Sequence, residues 1–234
     1  MRLILVRHGE PDYKNDCLTN KGIQQAKNTA ARLEKEGISA IYSSPMGRAF
    51  ETAGYTADSQ GLKVKILDFM HEIDWGDIQE CKEEDKLLYN GHPWALGFKL
   101  LTENPGYVGS GDWDNHHYFK DNKCLNDYKK VSSCIDDFLD SFGLKRREGL
   151  YYCERNCEDT VAIFAHGGSG AIMISHILSL PFPFVLTTMP FNLCSISVIE
   201  FIQEAGEVTV PMLSLFNDTG HIEGLKREPL YFEN

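Results

Sequence analysis

Five residues in this chain have the types and placement to do chemistry together. Arg7 and His8 follow the apolar run Leu3-Ile4-Leu5-Val6 and lead into Gly9-Glu10. His166, with Gly167 and Gly168, follows the apolar run that begins at Thr160 and ends at Ala165. Arg48 lies just past Ser43-Ser44, and Glu72 follows His71 beyond a strand-like stretch from Lys63 to Leu67. Polar residues beyond the carboxyl ends of parallel strands share one rim of an open α/β sheet. Two guanidiniums there suit a tetrahedral dianion, because each fork donates paired hydrogen bonds to phosphate oxygens. The Gly167 and Gly168 amides at a helix start add donors for the same anion. A neutral imidazole can accept a phosphoryl group while a second imidazole holds its oxygens, and a carboxylic acid can protonate the leaving alcohol and then activate water. Phosphoryl transfer is mostly positioning and charge neutralisation, so this set predicts chemistry that needs neither metal nor cofactor.

Elements of known type must carry these residues. Residues 2–7 are nearly all apolar, as a strand buried on both faces is. Leu18 to Gly37 reads as a helix, with Thr19 as N-cap and Gly37 as the glycine that ends it. Ala40–Ser43 reads as a strand, and Ser44-Pro45 as the N-cap and first residue of a helix reaching about Ser59. Thr160–Ala165 is another buried strand, with a helix over Ser169–Leu180 behind it. Asp121–Phe142 has helical spacing, and Ser195–Phe201 and Val208–Phe216 read as closing strands. Strand–helix alternation predicts a three-layer α/β/α sandwich with a mostly parallel central sheet. The stretch from Trp75 to about Phe119 is rich in Gly, Trp, His and Asp and weakly periodic, so a single domain over 1–234 with an inserted cap at about 78–150 is expected. The aromatic residues of that stretch, Trp94, Trp113, Tyr118 and Phe119 among them, predict either a substrate lid or a small satellite core.

The motifs also resemble a family. Leu5-Val6-Arg7-His8-Gly9-Glu10, Leu18-Thr19-x-x-Gly22-x-x-Gln25-Ala26, Tyr42-Ser43-Ser44-Pro45-Met46-x-Arg48-Ala49-x-x-Thr52-Ala53, Glu72-Ile73-x-Trp75-Gly76 and Ala165-His166-Gly167-Gly168 occur in an order and spacing similar to the histidine phosphatase superfamily, the phosphoglycerate-mutase-like proteins. The resemblance implies His8 as the phosphorylated nucleophile, Arg7, Arg48 and His166 as the phosphate pocket, and Glu72 as general acid and base. It also implies an asparagine near the phosphate, here Asn15, which follows Tyr13 and Lys14; Pro11 replaces the hydroxyl residue usual after the Glu. No counterpart of the mutase branch's arginine-rich segment lies between Glu72 and Lys123, so a phosphatase is expected over a mutase.

The chain has 234 residues and a formal charge of −11, from 34 acidic and 23 basic side chains. That balance argues against a nucleic-acid partner, since phosphate backbones require a broad basic face. No stretch is apolar enough to predict a membrane span. Seven cysteines, odd in number and scattered, predict reduced thiols in a cytoplasmic protein, and Cys153-x3-Cys157 is too sparse for a zinc site. The partners to expect are a small phosphorylated substrate and, for assembly, a second copy of the chain. Two readings of other classes stand beside phosphatase and mutase. One is a serine hydrolase using Ser169, although Ala171 stands where its G-x-S-x-G turn needs glycine; the other is a phospho-ligand binder without catalysis. Asp77 is a reserve proton donor. His71 and His221 are expected to be structural, His221 at the surface, and Lys145-Arg146-Arg147 to be a solvated turn.

Overall fold

The computed structural model describes residues 1–75, 92–106 and 111–222. Its centre is a six-stranded sheet of β1 (Arg2–Arg7), β4 (Ala40–Ser43), β5 (Val64–Ile66), β8 (Thr160–Ala165), β9 (Ile196–Glu200) and β11 (Met212–Asp218), in the spatial order β11-β9-β1-β8-β4-β5. β1, β8, β4 and β5 run parallel, whereas β9 and β11 pair antiparallel at one side. The sheet is therefore mixed and mostly parallel, as the alternation of strands and helices predicts.

Helices α1 (Asn20–Leu33), α2 (Gly47–Gln60), α3 (Pro93–Glu103), α4 (Cys124–Asp140), α5 (Gly167–Ile177) and α6 (Phe182–Thr188) cover the sheet. Two apolar clusters lie against it. One joins Ile4, Val6, Ala162 and Phe164 of the strands to Leu33, Ala53 and Ala57 of α1 and α2. The other joins Leu3, Leu5 and Ile163 to α3, α4, α5 and α6. Alternate residues of β1 and β8 thus feed opposite layers, which explains why both strands are apolar without a break. Thr19 caps α1 as expected, its side chain accepting from Gly22 N.

The structure departs from the sequence reading at several places. Helix α2 starts at Gly47 rather than at Pro45, and its N-cap Met46 makes no side-chain capping bond. Helix α1 ends at Leu33, leaving Gly37 (φ 65°) in the turn toward β4. The stretch 208–216 is broken: β10 (Val208–Thr209) pairs with β7 (Leu150–Cys153), and only the following strand joins the main sheet. Lys145-Arg146-Arg147 lies in β6 (Leu144–Arg147), not in a solvated turn. Arg146 Nη1 there donates to His176 O at 2.6 Å and Tyr151 Oη at 3.2 Å, tying the end of α5 to the small sheet. Trp113, Tyr118 and Phe119 are buried in the same cluster as the strands, so these aromatics are main core rather than a separate satellite.

Among the described residues no helix is long and apolar enough to cross a membrane. Asp77, Cys81 and much of the expected cap between 78 and 91 lie outside the described residues.

Candidate active site

The register of the parallel strands decides where the polar residues meet. Arg7 pairs with Ala165, and Ser43 with Phe164, so His8, Ser44 and His166 leave the sheet at the same level. Backbone bonds fix that exit: His8 N donates to Ala165 O at 3.0 Å and Ser44 N to Phe164 O at 2.9 Å. The two imidazoles then face each other, ring centroids 5.1 Å apart at 60°.

A carbonyl fixes where the His8 proton sits. His8 Nδ1 lies 2.7 Å from Gly9 O, and a carbonyl can only accept, so Nδ1 carries the hydrogen and Nε2 keeps its lone pair. Arg48 Nε donates to that Nε2 at 3.3 Å. His8 is 1% exposed, and burial, reinforced by Arg7 and Arg48, depresses its pKa to about 3. Burial likewise depresses His166 to about 2, with His8 and the arginines adding to the effect. Both rings are neutral around pH 7. His166 Nε2 lies 2.8 Å from Ser44 Oγ, which already accepts from Met46 N. When the Ser44 hydroxyl donates to Nε2, the His166 proton resides on Nδ1.

The arginines come from different elements. Arg7 ends β1, and its Nη1 donates to Phe191 O. Arg48 lies in the first turn of α2 and is 5% exposed. Asp16 takes Arg48 Nη1 at 2.6 Å, and the Tyr13 ring lies 5.5 Å from its Cζ. Arg7 Nε and His166 Nδ1 are buried with no partner among the described residues. The orphaned N–H of the Arg7 guanidinium fits an oxyanion, since a buried donor without an acceptor is costly unless a ligand supplies one, and His166 Nδ1 adds a second donor when it carries the ring proton.

Glu72 reaches the same place from the segment after β5 (Val64–Ile66). Its Oε1 accepts from Ile73 N and Gly168 N, each at 3.0 Å. A Cβ on Gly168 would lie 2.7 Å from that oxygen, so the close approach of the carboxyl to the start of α5 requires glycine there. Burial raises the Glu72 pKa, while the Ile73 and Gly168 amides and Arg7 pull against it, and the balance stays above the ordinary carboxylate value. Asp127 of α4 accepts from Asp74 N at 2.7 Å and lies 3.9 Å from His71 Nε2, which braces the segment on both sides of Glu72.

The remaining candidates fall elsewhere. Asn15 is exposed and its Nδ2 donates to Asp12 Oδ2 at 2.7 Å. Ser169 is fully buried, with Oγ donating to Met70 O at 3.2 Å, not presented on an exposed turn. His221, expected at the surface, is partly buried, and its Nε2 lies 3.1 Å from Thr29 Oγ1 and 3.0 Å from Cys194 O. Cys153 and Cys157 are buried, and no group of three or more metal-ligating side chains occurs among the described residues. Sequence reasoning missed Ser44 and Asp16. Ser44 stood inside a quoted motif but was assigned to capping; Asp16 lies 32 positions before the arginine it holds, and no spacing rule points to it.

We expect Arg48→Ala to lower kcat/KM by about 10²–10³-fold, the effect of removing one preorganised donor from a developing charge. Its ion-pair partner Asp16 has a side chain 42% exposed and keeps its bond from Gly47 N, so the carboxylate stays solvated and capped and the far-ultraviolet dichroism should remain that of the wild type. Near wild-type kcat/KM would take Arg48 out of the phosphate pocket.

Fold and site define a three-layer α/β protein with a paired-histidine site at the carboxyl ends of its parallel strands. Residues 3–104 match the family model of the histidine phosphatase superfamily (branch 1). A protein of Salmonella paratyphi A named "Probable phosphoglycerate mutase GpmB" is 31% identical over 95% of this chain and 95% of its own length. A 2,3-bisphosphoglycerate-dependent phosphoglycerate mutase of Thermoplasma acidophilum is 39% identical, over 38% of this chain and half of its own length. Among solved structures, a phosphoserine phosphatase of Entamoeba histolytica in complex with phosphoserine superposes with a TM-score of 0.62 at 22% identity, covering 94% of this chain and 98% of that one. A mycobacterial glucosyl-3-phosphoglycerate phosphatase complexed with VO3 gives a TM-score of 0.60 at 20% identity, over 92% and 98% of the two chains. The chain belongs to the histidine phosphatase superfamily.

Proposed function

We propose that this protein hydrolyses phosphate monoesters of small metabolites through a phosphohistidine on His8. The observation that carries the reading is the state of His8: a neutral imidazole whose Nε2 accepts from Arg48 Nε, with the His166 ring 5.1 Å away centroid to centroid and two buried nitrogens, Arg7 Nε and His166 Nδ1, unpartnered among the described residues. A dianionic phosphoryl group accepts from Arg7, Arg48 and His166 while His8 Nε2 attacks phosphorus and the bond to the ester oxygen breaks. Glu72, protonated, gives its hydrogen to the leaving oxygen. In the second half Glu72, now a carboxylate, takes a proton from water, which displaces His8 and releases inorganic phosphate. The Gly168 amide, expected from the sequence to serve the anion, donates instead to Glu72 Oε1 and ties the acid to the start of α5.

A mutase is the second reading, favoured by the name of the Salmonella relative that matches along nearly the whole chain. It differs in the acceptor: a hydroxyl of the substrate replaces water. Incubation with a panel of phosphomonoesters including 3-phosphoglycerate tests both. Release of inorganic phosphate in excess of isomer interconversion is the expected result; interconversion faster than release selects the mutase, and neither leaves a phospho-ligand binder.

A further inference from the structure

The arginine that faces His8 already has a counter-ion, and that counter-ion is unusually constrained. The short strands β2 (Pro11–Asp12) and β3 (Cys17–Leu18) form a hairpin that brings Asp16 to α2. Asp16 adopts φ 48°, a left-handed conformation that costs energy for most residues and that Asp and Asn tolerate best. Both its carboxylate oxygens are engaged: Oδ1 accepts from Arg48 Nη1 at 2.6 Å and Oδ2 from Gly47 N at 2.7 Å. The Asp16 backbone packs so tightly that a Cβ on Gly47 would lie 2.1 Å from Asp16 O. Helix α2 has no capping side chain of its own, so Asp16 supplies the cap from another element. Burial pushes the Asp16 carboxyl up, but the Gly47 amide and Arg48 outweigh it and keep the group ionised below the ordinary range.

A cap accounts for one oxygen and leaves the other unexplained. Asp16 takes a different nitrogen of the guanidinium from the one that faces His8; Nε goes to His8 Nε2 and Nη2 to Met46 Sδ at 3.5 Å. Resting on the phosphomonoesterase reading, we propose that Asp16 is a positioning residue that sets the phosphate affinity of the site: it aims the Nε edge of Arg48 at His8 and offsets the charge of Arg48 so that product phosphate is not held too tightly. A dianion beside Arg48 is attracted by the guanidinium and opposed by the carboxylate just behind it. The opposition acts on substrate, transition state and product alike, so removing the charge is a change in uniform binding. A half-exposed carboxylate some ångströms behind the anion corresponds to about tenfold in affinity.

Calorimetric titration of inorganic phosphate into wild type, Asp16→Asn and Asp16→Ala, with melting temperatures for each, separates this from a purely structural role. Asparagine keeps one acceptor oxygen, enough for the Gly47 N cap, and gives up the acceptor for Arg48 Nη1, so Asp16→Asn should melt within a few degrees of wild type. It should bind phosphate about tenfold more tightly at low salt, with KM for a phosphomonoester falling in step and kcat not rising. The gain should shrink as ionic strength rises. Asp16→Ala, lacking charge and cap, should melt lower yet still bind phosphate more tightly than wild type. Unchanged or weaker phosphate binding in both variants overturns the proposal and leaves Asp16 as a cap alone. A wild type that binds no phosphate removes the phosphomonoesterase reading and this proposal with it.

Discussion

His8→Ala should abolish phosphomonoester turnover, lowering kcat by about 10⁴-fold or more, while phosphate binding survives. The magnitude follows from loss of the nucleophile: neither Arg48 nor His166 can replace the Nε2 lone pair, and the remaining donors only bind. His8 is buried, so the substitution removes a ring from a tight place, but a neutral imidazole leaves no stranded charge behind it. The bond it breaks outside the site is the local one from Nδ1 to Gly9 O, and the backbone bond from His8 N to Ala165 O does not depend on the side chain. A folded protein with intact phosphate affinity and no turnover is therefore expected. Residual kcat within tenfold of wild type would mean that water, not His8, attacks phosphorus.

Glu72→Gln is the second large effect, and its size should depend on the leaving group. With an alkyl phosphate, whose alkoxide needs a proton, kcat/KM should fall by about 10²–10⁴-fold. With p-nitrophenyl phosphate, whose phenolate leaves unprotonated, the phosphorylation step should be nearly spared and the phosphohistidine should accumulate, because its hydrolysis still needs the base. The pH profile gives the sign independently. Glu72 acts as an acid only while protonated, and its pKa lies above the usual carboxylate value, so kcat/KM for an alkyl phosphate should decline as pH rises through that raised pKa. His8 stays neutral down to about 3, so it imposes no acid limb above that value. Glutamine should remove the alkaline decline. An equal loss of kcat/KM with both leaving groups and an unchanged profile would give the proton transfer to another group.

Much of this site is visible in the sequence because it is built from strand ends. An apolar run that stops at a polar residue marks both β1 and β8, and parallel register then delivers His8 and His166 to one level without further information. Motif residues secure the turn after β1 and the helix that follows: Thr19 caps α1, Gln25 Oε1 accepts from Glu10 N, and Thr52 Oγ1 accepts from Gly9 N. What the sequence hides is where a side chain has two physically reasonable partners. Ser44-Pro45 satisfies the statistics of a helix start, yet Ser44 Oγ is drawn to His166, and the cap comes from Asp16, far away along the chain. Arg146 looks like one of three solvated charges, but the end of α5 offers it a carbonyl. The aromatics between Trp113 and Phe119 show no period because they pack from short irregular turns into a core whose other walls are the strands and the helices α3, α4, α5 and α6.

The central claim is the covalent step at His8, and trapping the intermediate tests it most directly. Wild-type protein should be mixed with a phosphomonoester carrying radioactive phosphate, quenched in alkali within the first turnover, digested, and the label located. The account predicts label on the peptide containing His8, stable in alkali and released in acid, with none on Ser169 and none in His8→Ala. Active wild-type protein that carries no such label, or that carries an acid-stable one elsewhere, contradicts it.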